Sequence, residues 1–365
     1  MKEKKINYQF LLLQAIAIIL VVIGHKGGLG FKTLDNWFPI YAYHMPLFIF
    51  ISGYFFSLDN LNNILDYIRQ KAKHFIIPYL IYNVIYGIIL YFFKEKAGIM
   101  FGEYISIRTI FAEPWLGGGQ FILNLAMWFV LTLFLVQTVY ISLRYFCKKI
   151  RFQNETLLFL ILLILGILII KATETLQLNG FLHLTCGKVL FFLPFFHFGF
   201  CWKQYLEKYD NLNTISTVVY FILLVSVIEL SKIFASQHIG YAFAANMAFG
   251  GNTFIPYITA FAGILMWLRI TKILVKYIGK SKIVEYIGNS TYDIMAHHLF
   301  VFFLINFAFY VINYSGFDTQ QFKENIWYTF IPNGASYLIY IYYLLAIFIP
   351  IGIHYLLKKD KKRQY

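Results

Sequence analysis

The sequence predicts an all-α, polytopic membrane protein of about ten transmembrane helices with both termini in the cytoplasm. Three observations carry this expectation. The 365-residue chain is 60% hydrophobic and only 13% charged, with a mean hydropathy of +0.65, more apolar surface than a water-soluble fold of this length covers. Its apolar residues form continuous runs near the roughly 20 residues that cross a bilayer, without the alternation a barrel strand needs. Its basic residues gather in alternate connecting loops, the pattern of the positive-inside bias.

In chain order the runs are 8–25, 38–57, 75–93, 123–146, 154–171, 186–202, 214–234, 253–270, 291–313 and 336–357. Lys171 and Lys188 bracket the fifth and sixth closely. With an even number of spans both termini share a side, and that side carries 22 of the 31 Lys and Arg residues. They include Lys2, Lys4 and Lys5, then Arg69, Lys71 and Lys73, then Arg144 to Arg151, and later Arg269 to Lys282 and Lys358 to Arg363. No internal repeat of solenoid period is visible, so residues 1–365 read as a single integral-membrane domain. The longest extramembrane stretch, about 94–122, contains "GEYISIRTIFAEPWLGGGQ" and reads as an outer cap.

Several functions are disfavoured. The formal charge is +14, but the basic residues are scattered between apolar runs rather than striped along one face, so nucleic acid is not the expected partner. Cys147, Cys186 and Cys201 have neither metal-ligand spacing nor a disulfide framework. The first run lacks a small-residue cleavage site and continues into His25-Lys26-Gly27-Gly28, so it reads as a span rather than a removable signal. There is no Walker A loop and no G-x-S-x-G elbow, and no metal is expected.

An ionisable group inside a span is costly and is a functional candidate by default. His25 ends the first run, and His44 lies about two turns into the second from the same surface, so the two imidazoles are expected to meet in a cavity open to the outside. An interfacial histidine bonded to a neighbouring helix is the alternative for each. Gln14 precedes His25 by eleven residues, close to three turns, which puts both on one face roughly 16 Å apart. A lone glutamine also serves as an interhelical hydrogen bond. In "NSTYDIMAHHLF" Asp293 stands four residues before His297, positioned to orient that imidazole or to form a structural ion pair. Glu229 reads as a buried acid with Lys232 one turn away, and Lys188 as a snorkelling lysine. Pro78 and Pro194 interrupt spans and are expected to kink them. Trp115 and Trp128 suit either stacking on sugar rings or interfacial anchoring.

The segments "QAIAIILVVIGH", "YHMPLFIFISGYFF", "HFIIPYLIY", "AMWFVLTLFLV" and "IGNSTYDIMAHHLF" together resemble, in order, the bacterial membrane acyltransferase-3 family, which O-acylates glycans. The His-Met-Pro-Leu-Phe and Ser-Gly-Tyr pattern is most similar to the fucose-O-acetylase and capsular-polysaccharide branch. The resemblance implies a multi-pass protein of the bacterial cytoplasmic (inner) membrane. It would transfer an acetyl group from acetyl-CoA to a hydroxyl of a cell-surface polysaccharide or lipid-linked glycan in the cell envelope. The family's essential histidine falls on His25. The arginine that partners it falls on Gln14, a departure that replaces charge with neutral hydrogen bonds. The basic residues before the Pro-Tyr of the third helix correspond to Arg69, Lys71 and Lys73, placed for CoA phosphates. The expected site is therefore His25 as general base with His44 orienting it or the sugar, and Gln14, Arg69, Lys73, Trp128, Asp293 and His297 binding donor or acceptor. An acyl-histidine intermediate is a variant. A transporter or flippase for polysaccharide or lipid-linked sugar, and a scaffold subunit of a glycan-assembly complex, are the rival readings.

Overall fold

Asn7 opens the first helix, its side-chain oxygen accepting the Phe10 backbone N–H at 3.2 Å, as an N-cap should. In the computed structural model, which describes residues 6–116, 121–176, 181–211, 213–235, 239–240, 249 and 253–362, this helix is α1 (Tyr8–Gly24). Gly117 to Gln120 of the expected cap, Lys2, Lys4, Lys5 and Arg363 lie outside the described residues, as do the side chains of Lys358, Lys359, Lys361 and Lys362. α1 is apolar on every side. Such a helix belongs in the middle, and α1 is packed by α3 (His44–Tyr54), α10 (Ile255–Ile278), α11 (Lys282–Asn289), α12 (Thr291–Val311) and α14 (Leu338–Lys362).

The remaining helices are α2 (Lys32–Trp37), α4 (Ile64–Ala97), α5 (Glu113–Leu116), α6 (Trp128–Lys149), α7 (Glu155–Leu176), α8 (Phe181–Cys201), α9 (Thr214–Phe234) and α13 (Thr319–Glu324). No strand occurs among the described residues. Among the described residues, eight helical stretches are long and apolar enough to cross a membrane. α1 is shorter at 17 residues and α3 has only 11. The expected second span, 38–57, is thus corrected. At about 1.5 Å per residue an 11-residue helix does not cross a core of about 30 Å. The chain reaches it through a 3₁₀ turn, Ile40–Ala42, so His44 begins α3 instead of lying two turns inside a span.

Close helix crossing explains how so short a helix is held. A Cβ on Gly53 of α3 would stand 1.9 Å from the Phe196 carbonyl oxygen of α8, and one on Gly199 would stand 2.0 Å from that of Phe50. Hydrocarbon offers no hydrophobic drive between helices, so small residues that let backbones touch supply the packing instead. Pro78 and Pro194 lie within α4 and α8, and both helices continue through them.

The two ends of the bundle differ. One end holds the starts of α1 and α4 and the end of α10, tied by Gln9 Nε2 to Leu268 O (3.1 Å), Tyr54 OH to Glu207 (2.9 Å) and Asp210 to both Lys272 (3.0 Å) and Arg269. This is the end that carries the excess of Lys and Arg. At the far end segments 25–43, 98–127 so far as it is described (98–116 and 121–127), and 312–337 fold over the helices. The last two are joined by the Met100 N–H donating to Lys323 O at 2.8 Å, and Phe322 is buried among Phe303, Tyr310 and Phe317.

Candidate active site

α1 stops because the next residues cannot continue it. His25 caps the helix, and Gly27, Gly28 and Gly30 take φ of +59°, +66° and +78°, the left-handed region that costs other residues energy. At Gly28 a Cβ would also meet the Asp35 carboxylate at 2.7 Å. The chain therefore turns back over the helix end. Tyr343 OH donates to Leu29 O (2.7 Å) and Tyr340 OH to Gly30 O (3.1 Å), holding the turn to α14.

The opposite wall comes from residues 327–330. Buried Asn306 of α12 sets it: its amide donates to Tyr328 O at 2.7 Å, while its oxygen accepts Tyr342 OH at 2.7 Å and Phe330 N–H at 3.3 Å. Lys26 Nζ donates to Tyr328 O at 3.2 Å from above the Phe302 ring. Between the walls is a cavity of about 400 Å³ lined by Gly24, His25, Lys26, Gly27, Leu29, Tyr41, Trp327 and Thr329. Trp327 lies parallel to the His25 ring, with centroids 5.9 Å apart.

Hydrogen bonds assign the imidazole tautomers. His25 Nδ1 is 2.8 Å from Val21 O, His44 Nδ1 is 2.7 Å from Ile40 O, and His298 Nδ1 is 2.8 Å from Ile294 O. A carbonyl only accepts, so each Nδ1 carries the proton and each Nε2 a lone pair. His298 Nε2 is 3.2 Å from His25 Nδ1. No hydrogen bond reaches His25 Nε2 among the described residues, so that nitrogen keeps a free lone pair, and His25 lines the cavity. His44 is buried, and Tyr41 neighbours both rings, its centroid 6.4 Å from that of His25 and 4.9 Å from that of His44. The expected meeting of His25 with His44 is replaced by a meeting with His298.

Gln14 lies in a second cavity, of about 490 Å³, at the basic end. Tyr67, Gln70, Lys71 and His74 of α4, Ser52 of α3 and Thr291, Tyr292 and Met295 of α12 share it. Arg69 and Lys73 do not line it. Successive helical residues turn by about 100°, so the face holding 67, 70, 71 and 74 points 69 and 73 outward. Arg69 instead pairs with Asp66 at 3.5 Å in the open. Between Gln14 and His25, α1 presents Ile18, Val21 and Val22, each fully buried. The expected polar face is thus apolar in its middle, and the two cavities are separate. Met295 of the inner cavity precedes His298 by one turn of α12, an axial rise of about 4.5 Å.

The other candidates fall elsewhere. Asp293 pairs with His354 Nδ1 at 2.6 Å and accepts Tyr82 OH at 3.4 Å, whereas His297 bonds Tyr86 OH at 2.7 Å. The expected Asp293–His297 pair does not form. Trp128 is buried against Phe192 with Lys188 Nζ 5.1 Å above its ring, so it does not line the His25 cavity, and Lys188 is buried rather than snorkelling. Glu229 is about half exposed (48%), bonded to Lys232 at 3.0 Å and Trp37 Nε1 at 2.9 Å, not a buried acid. Folding also gathers Glu155, His197 and Cys201, distant in sequence, within 4.8 Å. Their polar atoms are engaged: Arg144 grips the Glu155 carboxylate at 2.5 and 2.8 Å, and Tyr140 OH meets His197 Nδ1 at 2.9 Å.

Sequence reasoning missed His298, Trp327 and His74 as candidate site residues, and named Lys71 only beside Arg69 and Lys73. The His297-His298 doublet was the available signal, because adjacent helical residues face about 100° apart and only one can meet a given partner.

Fold and site define an all-α polytopic membrane protein with a basic imidazole at one end of its central helix and a polar cavity at the other. The family model described as an acyltransferase domain, that of the acyltransferase-3 family, matches residues 7–331, and the chain belongs to that family. It is a membrane acyltransferase. No curated protein and no solved structure matches it.

Proposed function

We propose that this membrane acyltransferase moves an acetyl group from acetyl-CoA to a hydroxyl of a cell-surface polysaccharide or lipid-linked glycan, with His25 as general base. The observation that carries the reading is that His25, whose Nδ1 is held by Val21 O and whose Nε2 has no hydrogen-bond partner among the described residues, lines the far-end cavity. The hydroxyl proton passes to Nε2, the ester C–O bond forms as the thioester C–S bond breaks, and the leaving thiolate takes the proton back. A positioned base of this kind supplies about 10²–10⁴-fold in rate. Trp327 and Tyr41 offer the aromatic surfaces on which a sugar ring packs. His44 supports the site through Tyr41.

The acyl donor binds at the other end, where Lys71, His74 and Gln14 line the basic-end cavity and face the cytoplasm by the positive-inside bias. The envelope protein thus sits in a bacterial inner membrane with CoA on one side and glycan on the other. Gln14 hydrogen-bonds the donor's amide-rich arm where an arginine would bind its charge. The acyl group reaches His25 past the partition of Ile18, Val21 and Val22, beside Met295 of the inner cavity, whose long unbranched thioether side chain repacks at little cost.

Purified protein reconstituted in liposomes, given acetyl-labelled CoA and saccharide acceptor, tests this. Label appearing on the saccharide supports the enzyme. Label remaining on CoA while saccharide crosses the bilayer supports a transporter and overturns the proposal.

A further inference from the structure

We infer that His298 is the positioning residue of the base: it holds His25 in the tautomer that presents Nε2 to the substrate and shares the charge that forms when His25 takes a proton. The inference rests on the proposed role of His25 and goes beyond it, because sequence spacing linked Asp293 with His297 on this helix and gave His298 no role.

Ile294 O accepts the His298 Nδ1 proton at 2.8 Å, which leaves His298 Nε2 able only to accept. The atom facing it at 3.2 Å is His25 Nδ1, which also lies 2.8 Å from Val21 O. Its proton is therefore shared between two acceptors, and the opposite tautomer would lose both bonds and set two lone pairs against each other. Losing a buried hydrogen bond and leaving its partner unsatisfied costs about 1–3 kcal/mol, enough to populate one tautomer almost entirely. Once His25 accepts the hydroxyl proton at Nε2, its Nδ1–H becomes a charge-assisted donor to the same two acceptors.

The partner is neutral, and this matters. His298 is fully buried and Asp293 is engaged by His354. A second imidazole orients His25 by hydrogen bonding alone and brings no negative charge beside it. Met295, the next turn of α12 toward the inner cavity, places this support where the donor's sulfur arrives.

The test compares His298→Leu, His298→Gln and His25→Ala in purified protein, reading kcat, both KM values and the melting temperature. Gln places an acceptor oxygen near the position of Nε2, and Leu places none. The expected result is that His298→Leu loses about 10²-fold in kcat, within the contribution of a general base, with both KM values unchanged, and that His298→Gln recovers most of it. His298→Leu with wild-type kcat beside an inactive His25→Ala would overturn the inference and leave the proposed function standing. Equal losses in His298→Leu and His298→Gln, following melting temperature, would show a structural role and also overturn it. A fully active His25→Ala would remove the proposed base itself. If His298→Leu does not fold, His298→Asn replaces it, since its shorter amide does not reach His25; equal kcat in the Asn and Gln variants would then be the contrary result.

Discussion

Gln14 and His25 stand on the same helix yet open into different cavities, the first at the basic end of the bundle and the second at the far end. Three buried aliphatic residues of α1, Ile18, Val21 and Val22, lie between them. A protein that joins a cytoplasmic donor to an external acceptor needs two such chambers and a thin partition.

On the proposed reading, the donor binds at the face of α4 that lines the inner chamber. Lys71→Ala is expected to raise KM for acetyl-CoA about tenfold, the loss of one charge-assisted contact of about 1.4 kcal/mol, with acceptor KM unchanged. Arg69→Ala, which removes an exposed residue paired to Asp66, should change neither. Steady-state kinetics on both variants decide this, and a larger effect at Arg69 would contradict the face assignment.

Trp327 lies parallel to His25 and is 43% exposed at the far-end cavity. Trp327→Ala should raise acceptor KM several-fold, in line with about 0.5–1.5 kcal/mol for an aromatic contact, and leave donor KM unchanged. Competition between short saccharides of one series measures it. An effect confined to donor KM would place the acceptor elsewhere.

The crossing of α3 and α8 has no room for a side chain. Gly53→Val should lower the melting temperature in detergent by overpacking that costs about 1–3 kcal/mol or more, with loss of folded yield. Gly316→Ala, at a position with nothing within 4 Å of the added carbon, is a control expected to shift it less despite its positive φ. Equal shifts would contradict the tight crossing.

Lys26 follows α1 and lies outside the spans; burial pushes its ammonium down to about 7. Between that value and the ordinary lysine range the unfolded chain binds more protons than the folded one, so stability rises with pH across this window. The cost of burying the charge is fully present below it. Melting temperatures of wild type and Lys26→Met at pH 7 and pH 10 check this. Wild type should gain on the variant as pH rises, and parallel curves would contradict it.

How much of this was legible in the sequence depended on range. The apolar runs and basic loops located nearly every helix, because lipid solvation acts on each segment by itself. The spacing of Gln14 and His25 put the two toward opposite ends of one helix, as the structure does. His298 was not found, since spacing favours Asp293 with His297, and only the packing of α12 on α1 decides which of two adjacent imidazoles turns inward. Arg69, Lys71 and Lys73 looked like the donor's basic residues, but helical phase leaves only Lys71 on the cavity face, beside His74. Trp327 came from a loop held by Asn306, a contact between residues that no local pattern links.

The central claim is that His25 Nε2 takes the acceptor's proton. Acetyl transfer from labelled CoA by wild type and His25→Ala, purified alike and matched in melting temperature, measures it most directly. The account predicts a fall of about 10²–10⁴-fold in kcat with donor KM unchanged. Undiminished transfer by the folded variant would contradict it.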